Sequence, residues 1–449
     1  MRNDALFDEI VTAAHAHGVT EIEAIITTED QALTRFANNV IHQNVAERTT
    51  YLSVRPVIDG CTARASTNRT DPASIRRVVA EAIDITRLID PDPDLLPLLQ
   101  TIEPRPSGSG VCPNRYFEPT AQATPDNRAQ AVAAAIDVVR SHSQTAAGIY
   151  STGEATLAIY NSRGVTLEHR ETLARFSITA MASDSSGWAK ASATDHLTLN
   201  PAALARSAAR KAAESSDPRE LPPGRYTVIL EPAAVLDLAG QLFADFSGTA
   251  LRDGRSFLQD RIGAKLFGDN ITVYDDAYAP GQAGAPFDAE GVPRRRLTLI
   301  DRGIVRDIAY CRQTAALAGV EPTGHGFPVP NEVGEAPHNI VFTGGETSLE
   351  DMIASTPRGI LVTRFWYIRE VDPYEKIFTG MTRDGTFLIE NGAVTAGLRN
   401  FRFNQNLVEM LCNVEQLSPV ARASGEEAID MVVPAMKVRN FNFTEVTRF

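Results

Sequence analysis

A chain of 449 residues, 43% hydrophobic and 22% charged, holds enough apolar material for a sizeable core and is too long for one ordinary domain, so two or three are expected. A formal net charge of -13 disfavours non-specific nucleic-acid binding, which needs surplus Lys and Arg. No apolar run approaches the roughly 20 residues that cross a bilayer, and MRNDALFDEIVTAAHAHG carries acidic residues where a secretory signal is basic. The expectation is a cytoplasmic protein with no nucleic-acid or membrane partner. The four cysteines, Cys61, Cys112, Cys311 and Cys412, are far apart and include no C-x-x-C pair, which predicts reduced thiols rather than a zinc ribbon.

In chain order, Leu6, Ile10, Val11 and Ala14 share one face of a helix over 4–17, followed by strands at 21–26, 32–36, 40–45, 49–56 and 61–66, with Asp59-Gly60 as a hairpin turn. Asp71-Pro72 then starts a helix striped by Ile75, Val78, Val79, Ala82 and Ile83. Residues 1–90 form this first subdomain. A Pro-rich, then Ser/Gly-rich stretch over 91–112 is predicted to connect rather than pack.

The second subdomain, 113–217, repeats the order. Thr124-Pro125 opens a helix, strands follow at 154–160, 166–170, 174–182 and 188–193, and Asn200-Pro201 opens another helix. ARASTNRTDPASIRRVVAEA at 63–82 reads like AKASATDHLTLNPAALARSAARKA at 189–212, which points to a duplicated helix–antiparallel sheet–helix unit. The remainder, 224–449, reads as a strand-rich mixed α/β domain, and the whole chain as α+β. Its predicted helices span 233–246, 311–318, 348–354 and 406–414. Its predicted turns fall at Asp301-Arg302-Gly303, Asp384-Gly385 and Asn391-Gly392, with a last strand over 432–443.

GAPFDAEGV, 284–292, places Asp288 and Glu290 close together in a Gly/Pro-rich loop. Two carboxylates there suit a metal or a substrate amine, but acidic side chains in such loops commonly cap backbone N–H groups. With His325 of PTGHG they form the one alternative polar set in this domain that suggests a metal site. His338 is the next histidine along. Phe365, Trp366 and Tyr367 alternate on a predicted strand, one face for the core and the other for a peptide groove or a subunit interface.

The ordered set RYTVILEP (225–232), GAPFDAEGV with its following hairpin, PTGHG (322–326), GILVTRF (359–365) and GTFLIENGAV (385–394) resembles the TldD/TldE (PmbA) family over nearly the whole chain. That family has been described both as modulators of DNA gyrase and as metallopeptidase components. The resemblance implies the PmbA/TldD fold. It also implies that a TldD-type chain carries HExxxH on the helix after the first C-terminal strand, with a later Cys completing a zinc site. The two His nitrogens bind the metal and the Glu acts on its water.

In this chain none of the eight histidines is followed by Glu. Counting back from Ser256-Phe257 puts Leu238 and Phe243 at the ligand positions and Ala239 at the base, and the C-terminal Cys is missing. The resemblance therefore implies a TldE/PmbA-like, non-catalytic subunit with no cofactor of its own. Its partner would be a TldD-like chain that carries the zinc, and the heterodimer would act on unfolded or extended peptides. Whether the chain is an enzyme by itself stays open. The alternatives are an autonomous hydrolase using Asp288, Glu290 and His325, or a non-proteolytic binding protein that modulates a target such as DNA gyrase.

Overall fold

Asn38 (φ 52°) and Asn39 (φ 61°) adopt the left-handed backbone of a tight hairpin turn. The arms they join are Ile22–Ala37 and Val40–Ile58, seen in a computed structural model that describes residues 2–100 and 112–447. Sequence alternation splits these arms into four shorter strands because polar residues such as Glu29, Asp30 and Gln31 interrupt it. In the fold the pairing runs from Ile22↔Pro56 to Ala37↔Val40, with one irregularity at Arg35/Phe36. Thr145–Asn161 and Thr166–Met181 form a second long hairpin, again where shorter strands are predicted. The hairpins pair antiparallel from Glu23↔Asn161 to Phe36↔Gly148, so the two repeated units build one seven-stranded sheet.

That antiparallel contact sends the helices of the two units to opposite ends of the sheet. Asn3–Ala16 and Pro72–Thr86 pack on Ala24, Ile26, Leu52, Val54 and Ala158. Pro125–Ser141 and Pro201–Glu214 pack on Phe36, Ala174, Phe176 and Ile178. Three of these helices start as the Asx/Thr-Pro pairs predict. Asp71, Thr124 and Asn200 accept the backbone N–H groups of Ser74, Asn127 and Ala203, and Pro occupies the first turn, where no N–H is needed.

The C-terminal part holds a six-stranded and a seven-stranded sheet joined by one apolar cluster that includes Val228, Leu299, Phe342, Phe365, Phe401 and Phe441. Some expectations need correction. Asp384-Gly385 is not a hairpin turn. It lies inside the strand Ile377–Glu390, where the pairing moves from Val362↔Thr386 to Arg364↔Arg383 and the positive φ of both residues absorbs the extra residue as a bulge. Asn391-Gly392 is the turn expected, with φ of 52° and 79°. The last predicted strand divides into Met431–Val433 and Met436–Val446, which belong to different sheets, at a Pro434 that has no N–H to give a ladder.

The stretch predicted only to connect also packs: Leu98 and Leu99 are buried, and Asn161 Nδ2 donates to Leu99 O at 2.8 Å. Its residues 101–111 lie outside the described residues. Leu99 joins Ile25, Ile159 and Val165 in a cluster with Phe287 and Val292, so the GAPFDAEGV loop docks the C-terminal module onto the uncovered face of the N-terminal sheet. Among the described residues no helix is long and apolar enough to cross a membrane.

Candidate functional site

The strand Gly224–Leu230 leads into the helix Pro232–Ala239, with Glu231 N donating to Val362 O at 3.0 Å and Pro232 in the first turn. The helix predicted to run to Phe246 tightens at Gly240 into a 3-10 turn, Gly240–Asp245. Gly240 has no room for a side chain, since a Cβ would sit 2.7 Å from the Ala428 Cβ. Leu238 and Ala239 are fully buried and Phe243 nearly so, all three within the main apolar cluster. The Phe243 ring meets Phe342 edge-on at 6.1 Å and Phe246 at 5.7 Å. These side chains offer a metal no donor atom, so the implied zinc group does not fit the positions where the family motif falls.

One residue earlier stands a carboxylate that sequence reasoning passes over. Asp237 is fully buried, and its Oδ1 accepts the N–H groups of Glu426 and Glu427, both at 3.0 Å. Gln241 Nε2 bridges Asp237 O and Glu427 O. Burial pushes the Asp237 carboxyl up to about 7, against the pull of those N–H groups and of Arg364. The loop it holds is tied from the other side by the second unit: Lys190 Nζ donates to Gly425 O at 2.6 Å, and Ser192 Oγ to Asp430 at 2.8 Å. A lone acidic residue inside the apolar run PAAVLDLAG was the available signal.

The acidic loop follows the capping reading. Asp288 Oδ1 accepts from Glu290 N and Val292 N, and Oδ2 from Gly326 N at 2.7 Å. Glu290 Oε1 accepts from Arg312 N at 3.0 Å. Burial raises both carboxyls, and the neighbouring Asp288 adds to the rise of Glu290, which reaches about 7. His325 does not join them. Its Nδ1 contacts Thr323 Oγ1 at 2.9 Å and its Nε2 contacts Asp275 Oδ1 at 3.0 Å. Burial alone would raise Asp275, but His325, Arg294 and the Asn339 N–H outweigh it and hold the carboxyl at about 2. His338 contributes its backbone N–H to Asp275 at 2.5 Å, and desolvation, with Arg294 nearby, lowers its imidazole pKa. Among the described residues, no group of three or more His, Cys, Asp or Glu is placed to hold a metal ion.

Phe365, Trp366 and Tyr367 do not simply alternate. Phe365 is fully buried between Phe403 and Phe441, Trp366 is half-buried and Tyr367 is 51% exposed. Tyr367 adopts φ 58°, unusual for a bulky side chain, within an irregularity between Trp366↔Met381 and Arg369↔Thr379. The bulge turns Ile368 into the core instead of Tyr367. The Tyr367 N–H donates to Glu427 Oε1 at 2.7 Å, and the Arg369 guanidinium lies over its ring at 4.2 Å.

Family models match the chain in three consecutive parts: PmbA/TldA metallopeptidase domain 1 at 23–86, the central domain at 118–215 and the C-terminal domain at 223–445. The fold and these matches define an α+β protein of a metallopeptidase-like family. The chain belongs to the PmbA/TldD family. A relative named Metalloprotease PmbA, from Escherichia coli O157:H7, is 23% identical over 83% of this chain and 82% of its own length. A Methanothermobacter thermautotrophicus protein named Metalloprotease is 25% identical over 61% of this chain. That match spans 63% of the archaeal protein, less than two thirds of it. The fold matches that of TldE from Thermococcus kodakarensis with a TM-score of 0.87 and 21% identity, over 98% of this chain and 100% of that one. It also matches a putative modulator of a DNA gyrase from Thermotoga maritima, with a TM-score of 0.85 and 20% identity over 99% and 100%.

Proposed function

We propose that this chain is the TldE/PmbA-like, non-catalytic subunit of a heterodimeric zinc metallopeptidase that acts on unfolded or extended peptides, in the cytoplasm. The zinc and the general base would come from a TldD-like partner carrying HExxxH. The observation that supports this reading is the burial of Leu238, Ala239 and Phe243 in an apolar cluster at the three positions where a peptidase of this family needs His, Glu and His. The role left to this chain is to hold the partner and to shape the space in which the peptide lies. Exposed Tyr367, fixed by Glu427 and Arg369, is the residue of the aromatic run available for such contact.

Two measurements test this. Purified alone, the chain should carry no stoichiometric zinc and should not cleave an unstructured peptide. Co-expressed with an HExxxH-bearing homologue, it should purify as a complex that does. Stoichiometric zinc together with a peptidase activity lost on His325→Ala would refute the reading in favour of an autonomous hydrolase. A homodimer that binds a target such as gyrase without proteolysis would refute it in favour of a binding protein.

A further inference from the structure

Where the first unit, the segment after it and the C-terminal module meet, the fold forms a partly open pocket of about 100 Å³. Arg55 and Thr62 line it from the first unit, Asp92 and Asp94 from the following segment, and Glu290 and Arg312 from the C-terminal module. Leu238, Ala239 and Phe243 are not part of its wall. It has room for several waters or for a molecule of roughly six heavy atoms.

The wall carries opposite charges that are only partly paired, with Glu290 and Arg312 forming a long ion pair. Arg55, 3% exposed, uses Nε and Nη2 on Glu23 at 3.1 and 2.9 Å, and among the described residues Nη1 has no hydrogen-bond acceptor. Glu290 is 7% exposed. Its Oε1 takes the Arg312 N–H, but its Oε2 is 4.0 Å from Arg312 Nη1, beyond hydrogen-bond reach. Arg312 Nη2 is committed to Pro97 O at 2.8 Å. A guanidinium N–H and a carboxylate oxygen thus face one small space, and buried groups of this kind take a partner from water or a ligand.

We propose that this cavity binds a small zwitterion of the α-amino-acid type, with its carboxylate on Arg55 and its ammonium on Glu290. A simple anion would meet Asp92 and Asp94 on the wall and leave Glu290 unpaired. A simple cation would meet Arg55 and Arg312 and give Arg55 Nη1 no acceptor. A zwitterion satisfies both walls and brings in no net charge, which removes the penalty of an uncompensated buried ion. The site binds rather than reacts: Cys311, also on the wall, has its thiol pushed up to about 12, first by burial and then by Glu335. Every group belongs to this chain, so the inference stands independently of the proposed role in a peptidase.

Calorimetric titration of the full-length chain with glycine and L-alanine near about pH 8 tests it, with acetate and methylammonium as probes that each carry one charge. Saturable binding of an amino acid at one site is expected, with both single-charge probes at least about tenfold weaker. Because the ammonium needs the ionised carboxylate and Glu290 titrates at about 7, affinity should fall about tenfold per pH unit below that. Glu290→Gln keeps an acceptor for the Arg312 N–H and should weaken binding at least about tenfold. No saturable heat up to about 10 mM amino acid, acetate or methylammonium binding as tightly as glycine, or an unaffected Glu290→Gln variant would each overturn the proposal. Should that variant fail to fold, the probe comparison on the unmodified chain decides.

Discussion

Gly425 lies so close to Asp237 that a Cβ built on it would stand 2.1 Å from Asp237 Oδ1. The carboxylate needs this approach to reach the N–H groups of the next two residues, Glu426 and Glu427. The 424–430 loop is thereby pinned to the helix that carries the apolar motif positions, while Lys190 and Ser192 pin it to the second unit.

Gly425→Ala should therefore displace this loop. Overpacking of this kind costs about 1–3 kcal/mol, and loss of the two hydrogen bonds to the Asp237 carboxyl adds to it. Urea unfolding measures the loss; a change under about 0.5 kcal/mol would mean that the loop is not held in place by this contact.

The pH dependence of stability follows from Asp237. Its folded pKa of about 7 lies above the ordinary value of 3.8, so the folded state holds a proton that the unfolded state releases. The contribution is fully present below about pH 4 and is lost as pH rises through about 7, a few kcal/mol at most for this shift. Asp237→Asn keeps an acceptor oxygen and should flatten that part of the profile. Glu290, also raised, leaves a residual slope. Identical profiles for the variant and the parent would rule out Asp237 as a titrating group.

Glu335 is fully buried, and its carboxylate accepts from Ser247 Oγ, Thr249 N, Thr249 Oγ1, Cys311 N and Thr314 Oγ1. Such an acceptor-only role tolerates no donor. Glu335→Gln would set an NH₂ group against an N–H or hydroxyl donor and should cost about 2–4 kcal/mol by chemical denaturation.

Phe243→His tests whether one ligand restored at the motif position recruits metal. The imidazole would replace a ring packed on Phe246 and Phe342 with no polar partner from the cluster around it. A stability loss of about 3–5 kcal/mol without zinc uptake is expected. Zinc bound stoichiometrically by the variant, read by elemental analysis, would show that the site is closer to a metal centre than its packing implies.

Much of the architecture was legible in the chain itself. The Asx/Thr-Pro helix starts, the Asp59-Gly60 and Asn391-Gly392 turns and the repeated unit are local signals, because capping and left-handed turns depend on residues within a few positions of one another. The long strands were not legible. Residues 27–31 and 47–50 lie between the two helix-covered ends of the sheet, where no apolar face is demanded, so hydrophobic alternation lapses while the backbone pairing continues.

At the site, sequence alone determined which side chains stand at the motif positions, and apolar chemistry at Leu238, Ala239 and Phe243 needs no coordinates to exclude a metal ligand. Only the tertiary structure decided what the polar groups do. It turned Asp288 and Glu290 onto backbone N–H groups, gave His325 to Asp275 and Thr323, and set Asp237 against a loop nearly 190 residues away. A hydrogen bond joins groups by direction and distance in space, and sequence separation carries neither.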